Sequence, residues 1–550
     1  GVIPATVASP IDPCAPPGEF TLNGSGYGHG IGMSQWGAYG MALEGKNASE
    51  IVSHYYSGTT VEPTRDDMDI RVNLLYQVQS AQARSEALEK GGGAVEVTVG
   101  GTSTVGGPDD VFSFNVSGSS VGVRRIAGGT ATDLGAAPTV QIRWAGTREP
   151  GSAAGPRTLL NLIGPSGIFG SSGHRYRDGS IDITAVNTSS GVRLNAVNSV
   201  RMHDEYLLGI SEVSSSWPEA AMQAQAIAAR SYGMSKISDG LRKSCSCHVD
   251  DGGGPFTDQT FTGWSKRSGP KGNRWANAVK ATNSTDTSSL TVLYKGKPIK
   301  AFYTSSTGGA TTSVKDVWGG DLPYAVSVDD RWALHPDNAN RAWTVKVSQA
   351  AAAKAFGVPD VWKLTVGDRL SSGAAKTVTA TLRDGSQRSM AATEARTAFG
   401  LKSTYISSID GAAGASGGAQ ATPNPGGSEG PNESASTSDD PVASVGGIRV
   451  TMKIGPSMRP RAGSSVRFFG KVRPKKGAKR IIVERQMLVD GSWVVKDRTR
   501  TNKAGRYSFR IKKAVPAGAT LSYRVVVIRK GEVVASSDEQ QITVRPKRKR

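Results

Sequence analysis

Three stretches of this sequence combine residue types suited to chemistry, and each also has an ordinary structural reading. The first is GSGYGHGIGMSQWGAYGMALEG, Gly24 to Gly45. Its leading half alternates glycine with other residues, so His29, Ser34 and Gln35 stand on bare backbone that a ligand can approach closely. No Gly-Lys-Ser/Thr follows, so this is not a phosphate loop. The plain alternative is a tight turn into a helix starting near Met33. The second stretch is SEVSSSWP, which holds Glu212. A lone carboxylate between Ile210 and Val213, just before a helix, is open to partial desolvation, which raises its pKa toward the range of a general acid. The competing reading is a solvated loop glutamate. The third stretch is AFYTSSTGGATTS, Ala301 to Ser313, a strand end beside a hydroxyl-rich loop. Tyr303, Ser305 and Ser306 suit sugar hydroxyls, or simply cap a turn. A serine hydrolase is set aside, because no G-x-S-x-G elbow or well-placed His/Asp pair is present.

Cysteines are sparse: Cys14, Cys245 and Cys247 in 550 residues do not build a disulfide scaffold. The run Cys245-Ser246-Cys247-His248 invites a zinc reading, but a closed site wants four ligands and no second ligand pair is spaced for it. The expectation is a disulfide from Cys14 to one member of the pair, or none.

These side chains must be positioned by a mixed framework. With 37% hydrophobic and 20% charged residues the chain can build cores, while 68 glycines and 27 prolines mark it as turn-rich. The length suits two or three domains. No run approaches the roughly 18 apolar residues of a membrane span. The start at Gly1, without a basic and apolar leader, reads as a mature or trimmed form. Residues 63–200 read as short strands and Gly-rich turns, among them IRVNLLY, AVEVTVG, TVQIRWAG and SIDITAV. Ser216-Trp217-Pro218-Glu219 then reads as a helix start with Ser216 as N-cap. In the helix that follows, Ala220, Ala224, Ile227 and Ala228 share one small-residue face. Further helices are expected at Gln349 to Phe356 and Ala391 to Phe399.

Residues 411–447 are Gly, Ala, Ser and Pro with no apolar period and read as a flexible linker. Residues 448–550 follow with seven alternating apolar runs separated by turn residues, the pattern of an all-β immunoglobulin-like sandwich. From Ile448 to Arg550 there are 28 Lys and Arg against 6 Asp and Glu. That surplus exceeds the whole chain's net charge of +20, so the rest is near neutral. The field belongs to the C-terminal module and attracts an anionic polymer. Few aromatics interleave with its basic residues, so nucleic acid is not the expected partner.

The stretches EYLLGISEVSSSWPEAAMQAQAIAARSYGM, FTDQTFTGW, VLYKGKPIKAFYTSSTGGATTS, VWGGDLPYAVSVDD, RLSSGAAKTVTATLRDGS and FGLKSTY together resemble the stage II sporulation protein D/LytB family of bacterial cell-wall proteins. GYGHGIGMSQWGAYGMALEG and IVSHYYSGTTVE resemble it too, although the family carries that segment at the other end of the domain. The resemblance therefore implies that residues 1–62 fold back onto a catalytic module at 201–410. The fold class expected is an α+β catalytic region, strand-rich with a few helices, followed by the C-terminal sandwich. Sporulation-type members are similar to zinc binders with Cys and His after the helix. Here only Cys245, Cys247 and His248 answer to that, and no metal or other cofactor is carried over.

What the resemblance implies is a secreted, wall-associated lytic transglycosylase acting on peptidoglycan glycan strands, particularly strands denuded of stem peptides. Ordinary glycosidases need two carboxylates about 5–10 Å apart. A lytic transglycosylase manages with one, which protonates the glycosidic oxygen and then takes the proton of the muramyl 6-hydroxyl as a 1,6-anhydro ring closes. Glu212 matches the family's catalytic glutamate in S-E-x-x-x-x-W-P. His29, Ser34 and Gln35 are then expected to line one side of the cleft and Tyr303, Ser305 and Ser306 the other, with Arg230 and Tyr232 holding the loop of Glu212. Anionic wall polymers are the partner expected for the basic domain. LytB-type relatives are also described as enhancers of a cell-wall amidase, so a glycan-binding activator of an amidase is the alternative.

Overall fold

A computed structural model of the chain describes residues 16–148, 155–165, 173–269 and 271–411, and beyond them 449–455, 466–473, 481–489, 492–502, 505–511, 520–529, 532–536 and 540–543. The expected linker apart from Gly411, Cys14, and the terminal basic run Arg545 to Arg550 lie outside the described residues. The chain divides into two units, Gly1–Glu433 and Ser434–Arg550.

In the first unit the strand-rich reading of residues 63–200 resolves into two sheets. Seven strands run in the order Val249–Asp250, Asp69–Val78, Gly191–Arg201, Ser180–Thr188, Thr139–Trp144, Val95–Val99, Thr102–Gly106. Six more form a second sheet from Thr130–Ala137 to Arg175–Tyr176. Period-2 alternation explains their packing: Val95, Val97 and Val99 of one sheet and Phe112 and Phe114 of the other enter a common core.

Among the described residues eight α-helices accompany the sheets: α1 Gln35–Leu43, α2 Ala48–Tyr55, α3 Glu219–Asp239, α4 Trp264–Ser268, α5 Gly272–Ala281, α6 Val314–Trp318, α7 Gln349–Phe356 and α8 Ala392–Phe399. The small residues of α3 do more than lay one face on a sheet. Ala221, Ala224, Ile227 and Ala228 enter one core cluster, while Met222, Ala226 and Ala229 enter another. A helix enclosed on both sides must be slim, which is why alanine dominates it. Its start differs from expectation. Pro218, not Ser216, is the N-cap, and its carbonyl accepts from the N–H groups of Ala221 and Met222. The Ser216 hydroxyl instead shares a 2.7 Å bond with that of Ser214.

The N-terminal segment threads through this unit. Glu19–Ser25 is the central strand between Trp343–Ser348 and Tyr405–Asp410, with Phe20 opposite Val347 and Thr21 opposite Asp410. Thr60–Arg65 pairs with Ser288–Tyr294, and Met33–Ser34 runs parallel to Tyr303–Thr304. The alternating glycines serve these contacts. At Gly32, φ is +72° and a Cβ would lie 1.9 Å from the Phe302 carbonyl oxygen; at Gly28 it would lie 2.2 Å from Thr304 Oγ1. The bare backbone is filled by the neighbouring strand.

Asp66, at the end of this threading segment, is fully buried. It meets His203 Nδ1 at 2.7 Å and Arg230 Nε at 2.9 Å. Arg230 also donates to the Leu290 carbonyl and the Thr282 hydroxyl. Removing one partner of such a pair strands the other's charge. Arg230→Ala should therefore lower stability by about 3–5 kcal/mol, read as a lower urea midpoint with an unchanged slope; an unmoved midpoint would contradict the placement.

The cysteine expectation is corrected. Cys245 and Cys247 form a disulfide with one another, with Cα atoms 5.2 Å apart. The intervening Ser246 takes a left-handed turn, φ +53°, and the Arg242 N–H donates to the Cys247 carbonyl, which folds the loop tightly enough to join them.

Among its described residues the second unit carries two antiparallel sheets, one of Arg449–Gly455, Val466–Arg473 and Arg506–Ile511, the other built on Ile482–Val489 and Thr520–Arg529. Both supply one core: Phe468 and Phe509 from the first, Val483 and Val525 from the second. The last apolar run of the sequence divides into two strands, Glu532–Ser536 and Gln540–Thr543.

Candidate active site

Glu212 sits where the chain passes from the strand Gly191–Arg201 to α3. A π turn, Met202–Tyr206, and a single 3₁₀ turn, Leu207–Gly209, redirect the backbone. Ile210 then bridges to Phe261, the Ser211 N–H donates to the Thr260 carbonyl at 2.8 Å, and the Thr262 N–H donates to that of Gly209 at 2.8 Å. This strand-like pairing holds Glu212 against residues 259–262. Its carboxylate accepts the Thr260 N–H at 2.5 Å and a further bond from the Tyr303 hydroxyl. The Tyr303 oxygen in turn accepts from Gln259 Nε2 at 3.0 Å, and Gln259 Oε1 accepts from the Tyr206 hydroxyl at 2.8 Å. Because Gln259 fills a lone pair of Tyr303, the tyrosine proton is free to point at Glu212.

Gln35 approaches from the N-terminal segment. Its side-chain amide donates to the Glu212 carbonyl and to Gln225 Oε1, both at 3.3 Å. The next residue, Trp36, packs against Trp217 with ring centroids 5.0 Å apart, which ties α1 to the loop after Glu212.

Burial pushes the Glu212 carboxyl above its ordinary range, and the bonds from Thr260 and Tyr303 and the nearby Lys266 ammonium offset this only in part. The group is thus biased toward the protonated acid, yet donors are already in place for its anion. On the adjoining loop Asp258 and Asp250 are fully engaged, whereas burial pushes the Asp251 carboxyl up to about 7. Asp258 binds Arg242 and Tyr232, which outweigh the effect of its burial and lower it. Asp250 accepts four backbone N–H groups, those of Gly252, Phe256, Thr257 and Asp258.

Of the residues singled out in the sequence, Gln35 and Tyr303 reach Glu212 directly. His29 does so only through Tyr303: its ring accepts the Ile31 N–H at 3.0 Å and bonds the Tyr303 backbone, and its pKa is pushed down to about 4, chiefly by burial. Ser34 is fully buried and caps α1 by accepting the Gly37 N–H. Its other contact is Asp330, a buried carboxyl raised to about 6 by desolvation and bonded by Tyr55 and Thr307. Ser305 offers its carbonyl to the Trp36 N–H, and Ser306, also fully buried, pairs its backbone with Tyr27. These hydroxyls frame the site from behind and do not touch Glu212. Sequence reasoning missed Gln259, Thr260 and Tyr206. Gln259 and Thr260 lie in FTDQTFTGW, but a carboxylate bound by a backbone N–H leaves no residue signature.

The donor set after α3 does not fit zinc. Both sulfurs are spent in the Cys245–Cys247 disulfide, and His248 Nδ1 accepts the Arg71 N–H at 3.0 Å.

Residues 190–291, which contain Glu212, all of α3, Gln259 and Thr260, match the family model described as SpoIID, stage II sporulation protein. Within this stretch the chain is similar to the SpoIID family. The chain is 50% identical over 44 residues to a stage II sporulation protein D of Bacillus amyloliquefaciens, which is 8% of this chain and 13% of that protein. It is 54% identical over 43 residues to an amidase enhancer of Bacillus subtilis, 8% of this chain and 6% of the relative. It is also 54% identical over 42 residues to the stage II sporulation protein D of B. subtilis, 8% of this chain and 12% of the relative. The matches thus span at most about an eighth of the length of these three relatives. Gln35 and Tyr303, which complete the surroundings of Glu212, lie outside the residues that the family model matches.

Proposed function

We propose that this protein is a peptidoglycan lytic transglycosylase that cleaves the bond between N-acetylmuramyl and N-acetylglucosaminyl residues. The observation that carries this is the desolvated carboxyl of Glu212, held by Thr260 and Tyr303 while Asp258 and Asp250 are bound by other groups. In the first step Glu212 gives its proton to the glycosidic oxygen as the C1–O bond breaks, and the Thr260 and Tyr303 donors hold the resulting anion. In the second, the anion accepts the proton of the muramyl 6-hydroxyl while that oxygen bonds C1. The proton returns to Glu212 and no water enters. Strands denuded of stem peptides are the proposed substrate. Digestion of purified denuded and intact strands with the full chain tests this: anhydro-muramyl ends are expected from the denuded strands, and intact masses throughout would reject the reading.

A second reading, a glycan-binding enhancer of a wall amidase, draws on the B. subtilis relative named amidase enhancer. It predicts no new ends from this chain alone and faster peptide release when an amidase is added.

The proposed organisation is a catalytic module of residues 1–62 and 201–410 around an inserted β region at 63–200, with 411–447 as tether and 448–550 as an immunoglobulin-like, wall-binding sandwich on a secreted, wall-associated protein. Among the described residues no helix is long and apolar enough to cross a membrane. The isolated C-terminal segment 448–550 should pellet with purified walls and be released by about 1 M salt, where screening reaches about 3 Å, or by stripping wall polyanions. Binding undiminished at that salt would point to a saccharide pocket instead.

A further inference from the structure

Three elements meet at His29. Its ring faces the indole of Trp318, the last residue of α6, with centroids 5.1 Å apart and a tilt of 55°. Its side chain bonds the Tyr303 backbone, and the Tyr303 hydroxyl bonds Glu212. The third element is α8, whose Arg396 lies close enough to couple electrostatically to His29 and Tyr27. Two features of this group go unused by the packing. Trp318 is 50% exposed, although Ser313 caps its helix, Gly319 closes it, and Phe302 meets the indole edge-on at 4.9 Å. Arg396 is half-buried, and among the described residues no carboxylate or other acceptor pairs its guanidinium. Arginine does not shed its charge, so a partly desolvated, unpaired guanidinium is costly until an anion meets it. His29 stays neutral at pH 7, its pKa being about 4, and adds no competing charge.

A fixed, open indole and an unpaired cation that both reach His29 suit a sugar ring that bears a carboxylate. The C–H face of a pyranose covers the indole, and the carboxylate takes the planar guanidinium through two parallel bonds. We infer that Trp318 and Arg396 form a subsite for an acidic sugar of the strand, on the His29 side of Glu212. This rests on the glycan reading above for the identity of the strand. A muramyl residue presents a carboxylate on its lactyl group when the stem peptide is absent, or on the peptide when it is present.

The test uses the full chain carrying Glu212→Gln, so that bound strands stay intact, and three tetrasaccharide probes: an N-acetylglucosamine tetramer, an alternating glucosaminyl–muramyl tetramer with free lactyl groups, and the same tetramer bearing peptides. Adding Arg396→Gln should weaken the carboxylate-bearing probes by roughly tenfold or more and leave the N-acetylglucosamine tetramer unchanged. Trp318→Ala should weaken all three, and Arg396→Lys should recover part of the loss. A loss confined to the free-lactyl probe assigns the carboxylate to the lactyl group, and one confined to the peptide-bearing probe assigns it to the peptide. Equal affinities with and without Arg396→Gln on every probe, or no binding of any probe to the Glu212→Gln chain, overturn the inference. Failure of the cleavage reading shows separately, as strand cleavage that survives Glu212→Gln.

Discussion

Glu212→Gln should fold as the native chain does and release anhydro-muramyl products at less than about one hundredth of the native rate, the low end of what a positioned acid–base group supplies. The substitution is nearly isosteric, and its amide oxygen still accepts the Thr260 N–H now bonded at 2.5 Å. What it loses is the transferable proton. Thermal stability should not fall, because a desolvated acid is replaced by a neutral group. A folded variant retaining more than about one hundredth of the rate would remove Glu212 from the chemistry. In the native protein the rate should decline on the alkaline side as Glu212 ionises. Its upward-shifted pKa places that limb above the usual carboxylate range.

Removing residues 1–62 should abolish both cleavage and the cooperative unfolding of the first unit, although Glu212 is retained. The deletion takes out the central strand Glu19–Ser25, α1 and α2, and with them the buried Phe20, Leu22, Ile31, Met33, Ile51, Val52, Tyr55 and Tyr56. Each such side chain contributes about 1.5–3 kcal/mol when withdrawn from water. Their combined loss, about 12–24 kcal/mol, reaches or exceeds the roughly 5–15 kcal/mol that holds a domain folded. It also removes Gln35 from the Glu212 backbone. A truncated chain that melts cooperatively and still cuts strands would make the N-terminal segment an appendage.

How far the residues announce this arrangement differs from element to element. Glu212 is legible because SEVSSSWP combines a carboxylate, apolar neighbours and a helix start. The strands of 63–200 are legible from alternation, and α7 and α8 from their periodicity. Ser34 and Ser306 mislead, since a hydroxyl that caps a helix or lines a buried turn has the same residue type as one that binds a sugar. Only the enclosing segments decide, and those come from some 270 residues away, as Thr304 does at Gly30. Ser216 misleads as a cap for a related reason. The serine-rich loop gives its hydroxyl a nearer partner, Ser214. The Cys245–Cys247 disulfide was hidden by the left-handed turn at Ser246, a conformation that a serine does not advertise.

The central claim is that the substrate supplies the nucleophile and Glu212 only moves a proton. Digestion of denuded strands in water enriched in heavy oxygen, with mass analysis of the new ends, tests it most directly. Unlabelled 1,6-anhydro ends are expected, each one water lighter than a reducing end. Reducing ends that carry the heavy oxygen would mean that water attacks C1, and would contradict it.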